Sequence, residues 1–360
     1  MPPIRVLIVD DSVVVRKLLS QALSARPELE LAGTASSGAI ALAKLPQLNP
    51  DVVTLDIEMP GLNGIQTLIE IRRLYPKLPV IMFSTLTERG AAITLEALSL
   101  GASDYVTKPT NSESLANAME QVQRELTDKI LTLAVRNHNG TPRHQPISAT
   151  KKKLTDQPVH LLAIGASTGG PNALAELIPR LPADFPVPVV VVQHMPPLFT
   201  RLLAERLDTR SPLSVQEAAA GTTLEPGYVW IAPGNHHLVV ARKGTAAIID
   251  LNQAPPENSC RPAVDVLFRS VAHTYGANAL ALVMTGMGSD GARGATEIHE
   301  TGGTILVQDE ASSVVWGMPG AVVAAGAADR IFPLAEIGPE VVRRVTASRS
   351  RAGAAAAPKM

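Results

Sequence analysis

Short aliphatic runs alternate with amphipathic stretches from residue 4 to about residue 127. The strand candidates are Ile4–Val9, Leu29–Thr34, Val52–Leu55, Val80–Phe83 and Asp104–Val106, and the helical candidates begin near Val13, Ser37, Gly64, Arg89 and Ser112. The last helical stretch repeats its apolar residues at helical spacing, with Leu115, Met119, Val122 and Leu126. Five successive strand–helix units predict a doubly wound α/β domain around a parallel five-stranded sheet.

The alternation stops between about residues 136 and 158, where Pro, Asn, Gly and the lysine run 151–153 replace the apolar periodicity. This composition predicts a linker whose lysines are solvated. A second alternating region begins at Val159. Its strand candidates are His160–Gly165, Pro188–Gln193, Ala279–Met284 and Thr304–Val307, and its helical candidates are Pro171–Leu181, Leu198–Leu207, Ala263–Tyr275 and Ala292–Thr301.

Further short strand candidates interrupt the strand–helix alternation of this second region and indicate a β-hairpin insertion. They lie around Tyr228–Ile231, Leu238–Ala241 and Ala246–Asp250. The pattern therefore predicts two α/β domains, over residues 1–127 and 159–347, joined by a linker over 128–158. The second domain is predicted to have a doubly wound, mostly parallel sheet. Residues 348–360 are rich in alanine and predicted to be a disordered tail.

Composition narrows the class of protein. Hydrophobic residues make up 46% of the chain but aromatic residues only 3%, which suits the aliphatic cores of helix-covered parallel sheets. A net charge of -1 gives no general attraction to nucleic acid or to an anionic membrane. The single cysteine, Cys260, excludes an intramolecular disulfide and fits a reducing compartment. No leader and no apolar stretch near the ~20 residues that span a bilayer is present, so we expect a cytoplasmic protein.

Five polar residues fall at or just beyond the carboxyl ends of strands in the first domain. Asp10 and Asp11 end the first strand, Asp56 ends the third, Ser84 ends the fourth, and Lys108 follows the fifth. Functional groups of open parallel sheets collect at this edge. Three crowded carboxylates repel one another and are most stable around a hard divalent cation such as Mg²⁺. The metal, Lys108 and Ser84 would together neutralise a phosphoryl group on Asp56, so the pattern predicts a phosphate-accepting switch.

These residues resemble those of the receiver domains of two-component response regulators. The similarity is carried by Asp10–Asp11, Asp56-Ile-Glu-Met-Pro-Gly61, Ser84 and Thr107-Lys108-Pro109, and it covers roughly residues 4 to 127. The resemblance implies that a histidine kinase phosphorylates Asp56. It also implies that Tyr105 is the switch aromatic, which turns inward when Ser84 follows the phosphoryl group.

The first strand of the second domain runs into a glycine-rich turn that contains a serine. Gly165-Ala-Ser167-Thr-Gly169-Gly-Pro171 surrounds Ser167 with small residues, and Pro171 stands where a helix begins. The spacing matches a nucleophile elbow, but a glycine loop that holds a phosphate at a helix N-terminus fits equally. A dinucleotide loop fits less well, because the glycine spacing differs and the next strand ends in Gln193-His194 without an acidic residue.

Two further residues strengthen the case for catalysis. His194 ends the second strand of this domain and Asp290 follows the strand Ala279–Met284, so both are expected on the same sheet edge as Ser167. A serine hydroxyl needs a base to remove its proton, and a histidine base needs a carboxylate to hold its tautomer. Glycines around Met287 leave backbone N–H groups to face a developing oxyanion. The chain order Ser–His–Asp differs from that of α/β-hydrolases, which disfavours that fold.

With these motifs the second domain resembles the CheB family of chemotaxis protein-glutamate methylesterases/glutamine deamidases. The similar segments, between about residues 160 and 345, are Gly165–Pro171, Gln193–Pro197, Phe199–Arg201, Ala232–Gly234, Arg261–Phe268, Thr285–Gly291 and Trp316–Pro319. The resemblance implies hydrolysis of γ-glutamyl methyl esters on chemoreceptors, with release of methanol, and deamidation of certain receptor glutamines. It makes Ser167 the nucleophile, His194 the base and Asp290 its orienting carboxylate. It also places the oxyanion hole near Met287 and His194, with Thr168 as a supporting residue.

Two positions depart from the pattern of this family. Asn235-His236-His237 stands where one acidic or polar residue and one histidine are expected, and Cys260 stands where a histidine is expected before Arg-Pro. Neither position belongs to the predicted triad. We therefore expect the chemistry to be retained.

The expected partners are a chemotaxis histidine kinase and methylated chemoreceptors, with no role for nucleic acid. We expect no cofactor in the esterase step, and we expect the unphosphorylated receiver to cover the triad until Asp56 is phosphorylated. Two other output classes stay open. One is a nucleotide-binding domain that uses Gly165–Pro171 as a phosphate loop. The other is a transcription regulator, which the lack of a helix-turn-helix pattern or basic stripe disfavours.

Overall fold

The computed structural model describes residues 2–108, 115–138 and 157–355, and the chain divides into two compact units between residues 143 and 144. The strands of the first unit are β1 (Ile4–Val9), β2 (Leu29–Ala35), β3 (Val52–Asp56), β4 (Val80–Ser84) and β5 (Asp104–Thr107). Its helices are α1 (Val13–Ser24), α2 (Gly38–Leu48), α3 (Gly64–Leu74), α4 (Glu88–Ser99) and α5 (Leu115–His138). In the described residues, no helix is long and apolar enough to cross a bilayer.

The five strands form one parallel sheet in the order β2-β1-β3-β4-β5, as predicted. Strands β3 and β4 are buried along their whole length, which explains why their sequences are almost unbroken apolar runs. Strand β2 lies on one side of β1 and β3 on the other, so the strand connections run in opposite directions from this point and the strand order reverses between β1 and β3. The carboxyl ends of these two strands therefore border a crevice.

Polar side chains explain where the helices of the first unit begin. The side chains of Ser12, Ser37, Asn63 and Thr87 cap α1 to α4, each accepting a hydrogen bond from a backbone N–H in the first turn. Gly64 follows one of these caps, and a Cβ there would lie 2.2 Å from the carbonyl oxygen of Asp56. The loop from β3 to α3 consequently passes directly beside Asp56.

The second unit has a larger set of elements. Its strands are β6 (Leu161–Ala166), β7 (Val189–Gln193), β8 (Ser214–Glu217), β9 (Tyr228–Ile231), β10 (His237–Lys243), β11 (Ala246–Asn252), β12 (Ala279–Val283), β13 (Thr304–Gln308) and β14 (Arg330–Phe332). Its helices are α6 (Gly170–Leu177), α7 (Pro197–Asp208), α8 (Val264–Tyr275), α9 (Ala292–Glu300), α10 (Gly317–Ala324) and α11 (Leu334–Ala355).

Seven of these strands form one sheet in the order β14-β13-β12-β6-β7-β9-β8. Every neighbouring pair is parallel, so this sheet is more regular than the mostly parallel one predicted. Strands β10 and β11 form the separate antiparallel hairpin that the sequence indicated. The winding reverses between β6 and β12, and the loops after these two strands border the crevice of the second unit.

The ends of the two predicted domains differ from expectation. Helix α5 runs to His138, past the predicted domain end at residue 127, and α11 runs to Ala355, into the predicted disordered tail. The start of that tail is rich in Ala and Arg, which are strong helix formers. Elements β8, α10, β14 and α11 were not predicted, and strand β8 has only 4 residues, too few for a clear alternation. Residues 139–156 of the predicted linker, with its lysine run, and residues 356–360 lie outside the described residues.

Candidate functional site

Asp10, Asp11 and Asp56 meet at the carboxyl edge of the first sheet. One carboxylate oxygen of each lies within 4.8 Å of the others. The Lys108 ammonium lies 2.8 Å from Asp56 Oδ1 and 3.5 Å from Asp10 Oδ2. In the described part of the chain, Asp10 Oδ2 and Asp56 Oδ2 are buried and have no hydrogen-bond partner. Buried carboxylate oxygens without donors fit a divalent cation, so the three aspartates are suited to hold Mg²⁺.

Burial and mutual proximity change the pKa values of this cluster. Burial raises the pKa of Asp56 to about 6, although the hydrogen bond and charge of Lys108 oppose the shift. Burial also raises the pKa of Asp10. Burial would lower the pKa of Lys108, but the hydrogen bond to Asp56 and the charges of both carboxylates outweigh it and raise that pKa. Lys108 is therefore a fixed positive charge beside Asp56.

The two predicted switch residues, Ser84 and Tyr105, are both buried. The Ser84 hydroxyl accepts a hydrogen bond from Thr94 Oγ1 at 2.6 Å and lies 3.3 Å from the Gly90 carbonyl oxygen, and both partners belong to α4. Tyr105 is 7% exposed, so its ring already lies inward. A phosphoryl group on Asp56 would have to compete with α4 for the Ser84 hydroxyl.

Ser167 occupies the turn between β6 and α6, at the crevice of the second sheet. Its N–H donates to the Thr285 carbonyl at 3.0 Å, and its own carbonyl accepts from Gln193 Nε2 at 2.9 Å. Gln193 ends β7, and Thr285 follows β12. The backbone of Ser167 is consequently fixed by the strands on both sides of β6, and the residue itself is half-buried.

The glycines after Ser167 are required by packing within the domain. A Cβ on Gly170 would lie 1.9 Å from Gln193 Oε1, and one on Gly169 would lie 2.6 Å from Val314. Gly169 also has a φ of 78°, in the left-handed region that glycine favours. These contacts account for the glycine-rich turn without a phosphate. The nucleotide-binding alternative therefore loses its main support.

His194 and Asp290 form a hydrogen-bonded pair at the same edge. His194 Nε2 lies 2.8 Å from Asp290 Oδ2, and Asp290 is 1% exposed. The Asp290 carboxylate also accepts hydrogen bonds of 2.6 to 3.0 Å from four other donors, the N–H groups of Val264, Asp265 and Gly291 and the amide of Asn258. Burial alone would raise the pKa of Asp290, but the bond from His194 and the backbone donors lower it. Asp290 therefore stays an oriented carboxylate.

The second ring nitrogen of His194 faces Cys260, with 3.5 Å between Nδ1 and Sγ. Burial would lower the pKa of His194, but the hydrogen bonds to Asp290 and Cys260 outweigh it and raise that pKa to about 10. Because Nε2 is engaged by Asp290, a proton from Ser167 would have to go to Nδ1, which contacts Cys260 in this conformation. Cys260, which has no base near it along the chain, is brought by the fold to the reactive end of the histidine.

All three predicted triad residues lie at one edge of the sheet, but only His194 and Asp290 are hydrogen-bonded to each other. Among the described residues, the Ser167 hydroxyl has no hydrogen bond to the His194 ring. Contacts between a serine and its base are often long in free enzymes and tighten when substrate binds. The catalytic roles of Ser167, His194 and Asp290 stay predictions with which this geometry is compatible.

The loop after β12 passes directly beside the serine. A Cβ on Gly286 would lie 2.9 Å from Ser167 Cβ, and the predicted oxyanion residue Met287 follows immediately. Thr168 is 6% exposed, and its carbonyl accepts a hydrogen bond from Thr285 Oγ1 at 2.8 Å. Thr168 thereby joins the serine turn to the loop that carries Met287.

The second predicted oxyanion donor, the N–H of His194, is already engaged. It donates to the Ala166 carbonyl at 3.2 Å, continuing the ladder between β6 and β7. In this conformation it cannot also serve an oxyanion without giving up that bond. The N–H of His194 is therefore a poor oxyanion donor in this conformation.

A serine, a histidine and an aspartate at one edge of a parallel α/β sheet are typical of a serine hydrolase, and the acidic cluster with Lys108 is typical of a receiver. The chain thus combines a hydrolase-type domain with a receiver-type domain. It belongs to the CheB methylesterase family: residues 162–341 match the CheB methylesterase family, and residues 6–120 match the response regulator receiver domain.

Known relatives are similar to nearly the whole chain. Proteins of Trichodesmium erythraeum and Nocardioides sp., both named protein-glutamate methylesterase/protein-glutamine glutaminase, are 51% and 53% identical over 351 and 360 residues. These alignments cover 96% of this chain and 100% of the first relative, and 97% of both chains for the second. The crystal structure of the Thermotoga maritima CheB methylesterase catalytic domain is 42% identical with a TM-score of 0.51, covering 51% of this chain and 98% of that domain. The predicted family and its hydrolase class are confirmed.

Proposed function

We propose that this chain is a phosphorylation-activated protein-glutamate methylesterase that acts on chemoreceptors and also deamidates receptor glutamines. The observation that carries the proposal is the 2.8 Å pair of His194 and Asp290 on the same sheet edge as Ser167. The names of the relatives, methylesterase and glutaminase, support the two substrate groups. A glutamyl methyl ester and a glutamine differ only in their leaving group, so one nucleophile serves both.

The proposed reaction proceeds by acyl transfer. The Ser167 oxygen attacks the ester carbonyl carbon while His194 takes the hydroxyl proton, and Asp290 stabilises the imidazolium. His194 then gives this proton to the methoxy oxygen as the carbon–oxygen bond breaks, and methanol leaves. Water that loses a proton to His194 attacks the acyl-serine, and Ser167 departs with that proton to leave a glutamic acid side chain, which releases its proton to solvent and becomes the carboxylate. For glutamine, ammonia leaves instead of methanol.

Backbone donors would stabilise the tetrahedral intermediate. The N–H groups of the glycine-flanked loop around Met287 are the candidates, because this loop packs against Ser167. The side chains named above supply the nucleophile, the base and the orienting charge. We therefore propose that the esterase step needs no cofactor.

The first domain would control this site through phosphorylation of Asp56 by a histidine kinase. Asp10, Asp11 and Asp56 would hold Mg²⁺, which when bound neutralises phosphoryl oxygens. The buried Oδ2 of Asp56, which has no hydrogen-bond partner among the described residues, and the Lys108 ammonium at 2.8 Å from Asp56 Oδ1 support this role. The Ser84 hydroxyl would leave α4 to bind the phosphoryl group, with Tyr105 as its partner in the switch.

We expect a phosphodonor to raise methanol release by the wild-type chain and to have no effect on Asp56→Asn. Methanol would be measured from membranes that carry methylated chemoreceptors, with and without acetyl phosphate and Mg²⁺. The increase is expected to be about 5- to 150-fold, the usual range of coupling between two sites. An asparagine amide cannot form the acyl phosphate, so this variant stays at the basal rate.

Asp128→Asn is the matched control, because Asp128 is an exposed aspartate of the same domain. It is expected to respond to the phosphodonor like the wild type. If Asp56→Asn responded as well, Asp56 would not be the acceptor. If the wild type released no methanol under any condition, the methylesterase proposal itself would be wrong.

We also expect Cys260→Ala to move the acid limb of the pH–activity profile to lower pH. The contact with Cys260 raises the pKa of His194, and His194 must be neutral to act as a base. Loss of the contact therefore lowers the pKa and increases the neutral fraction at a given pH. The shift is expected to be about one pH unit, the effect of one hydrogen bond to a charged group.

The measurement is kcat/KM for methanol release between pH 6 and pH 11, a range that includes the pKa of about 10 of His194. Cys260→Ser is the matched variant, because its hydroxyl keeps a hydrogen-bonding group near Nδ1. It is expected to lie between the wild type and Cys260→Ala. An unmoved acid limb in both variants would show that Cys260 does not set the pKa of His194.

A further inference from the structure

The short segment Glu257–Cys260 adopts an unusual backbone beside the triad. Asn258 and Ser259 have φ values of 51° and 63°, in the left-handed region that few residues other than glycine occupy. Such conformations persist only where surrounding contacts enforce them. The segment is closed by two backbone hydrogen bonds between Glu257 and Cys260, of 3.1 and 2.9 Å.

Side chains of the domain hold this segment at both ends. Both guanidinium N–H groups of Arg269 donate to the Glu257 carboxylate, at 2.7 and 2.5 Å. On the other side, His237 Nδ1 accepts from the Ala263 N–H, so its Nε2 carries the proton that reaches the Pro255 carbonyl at 3.2 Å. These contacts place the segment against α8 and the hairpin, although Asn258 and Ser259 themselves are exposed.

Asn258 uses this placement to bridge two buried carboxylates. Its Nδ2 lies 2.9 Å from Asp290 Oδ1 and 2.9 Å from Asp265 Oδ2. Both aspartates are 1% exposed, and Asp265 is further held by the Gly294 N–H at 2.8 Å. Two buried carboxylates repel each other unless donors lie between them, and the amide supplies one hydrogen to each.

We propose that Asn258 is a positioning residue for the methylesterase reaction, acting with Asp265 to hold Asp290 against His194. This inference rests on the function proposed above. The Asp290 carboxylate reaches His194 through Oδ2, and the Asn258 amide fixes the opposite oxygen, Oδ1. Asp265, on α8, fixes the amide in turn, because its carboxylate is itself held by the Gly294 N–H in the first turn of α9. Asn258 itself touches neither Ser167 nor the His194 ring among the contacts of the described residues.

The network predicts a direction for the effect of removing the amide. Asp290 would lose one of its donors, and its negative charge would be less compensated. The imidazolium form of His194 would then be stabilised more strongly, so the pKa of His194 would rise. Less of the base would be neutral at a given pH, and the acid limb of the kcat/KM profile would move to higher pH.

The test uses Asn258→Gly and Asn258→Asp in the full-length chain, because glycine and aspartate both tolerate a positive φ. Asn258→Gly is expected to lower kcat about 10-fold with KM unchanged, as for one hydrogen bond to a charged group. Its acid limb should move upward, and that of Asn258→Asp should move further, because a third carboxylate joins the pair. NMR titration of the His194 ring should show the same order without turnover.

Ser259→Gly is the matched control, since it changes the exposed neighbour that shares the positive φ. It is expected to match the wild type in kcat and in the pH profile. The inference would be overturned if Asn258→Gly kept the wild-type acid limb and His194 titration, whether or not its thermal stability fell. A wild type that releases no methanol would instead overturn the proposed function, and the NMR titration would still decide the role of Asn258.

Discussion

Replacing Ser167 with alanine is expected to reduce kcat for methanol release roughly 10⁶-fold, leaving only the residual rate that substrate binding and the oxyanion hole supply. The variant loses only the hydroxyl oxygen. The Ser167 backbone is held by Thr285 and Gln193, and neither bond involves the side chain. The Cβ that packs against Gly286 is retained in alanine. The loss would therefore report the missing nucleophile rather than a displaced turn.

Ser289→Ala is the matched control for this experiment, because Ser289 is an exposed serine on the same sheet edge, next to Asp290. Both variants should unfold at the wild-type temperature, and Ser289→Ala should keep its methanol release. Substantial release by Ser167→Ala would remove the acyl-serine from the mechanism. His194 would then activate water directly, and the experiment distinguishes this mechanism from the one with an acyl-serine.

The positions of both sites could be predicted because the sequence pattern shows where each buried strand ends. Strands β3 and β4 are buried on both faces, so their sequences are apolar almost throughout. The polar residue that ends each apolar run, Asp56 or Ser84, therefore marks the end of the strand. The same logic placed Ser167 after β6 and His194 after β7. Within each of the two parallel sheets the carboxyl ends of the strands share one edge, so residue type and strand order were sufficient to place the residues of each site.

The partners that tune the site could not be predicted in this way. Cys260 reaches His194 across 66 positions of sequence, and Asn258 reaches Asp290 across 32. Both lie in an irregular segment with positive φ, where no periodicity indicates which way a side chain points. The motif did show a cysteine in place of an expected histidine. Only the fold shows that this cysteine faces the base.

The orientation of Ser84 is a second feature that the sequence left open. Its place at the end of β4 predicted proximity to Asp56, and the structure confirms the strand position. The hydroxyl is nevertheless bonded to Thr94 on α4. Thr94 is a buried helix residue with no distinguishing motif, so the competition between α4 and a phosphoryl group becomes visible only in three dimensions.

Replacing Asp290 with asparagine is expected to reduce kcat about 10⁴-fold with little change in KM, the loss typical of an amide in place of a triad carboxylate. An asparagine must choose between two orientations. If its NH₂ took the place of Oδ1, it would face three donors, the amide of Asn258 and the N–H groups of Asp265 and Gly291. If it took the place of Oδ2, it would face the Val264 N–H and His194.

The second orientation leaves fewer donors unsatisfied and is therefore the expected one. The NH₂ group would then donate to His194 Nε2 and force the ring proton onto Nδ1. Nδ1 is the nitrogen left to accept the Ser167 proton, so the variant would hold the base in the wrong tautomer. Nitrogen NMR of the neutral His194 ring, recorded above its pKa, should show the proton on Nδ1 in Asp290→Asn and on Nε2 in the wild type.

Asp184→Asn is the matched control, because Asp184 is an exposed aspartate that precedes β7 at the opposite end from His194. It should keep wild-type kcat and the wild-type tautomer. A loss below about 10-fold in Asp290→Asn would mean that the carboxylate is structural, since a merely buried hydrogen-bond acceptor acts on stability and not on the base. A large loss with an unchanged tautomer would place the effect of Asp290 in its charge, through stabilisation of the imidazolium, rather than in its control of the ring proton.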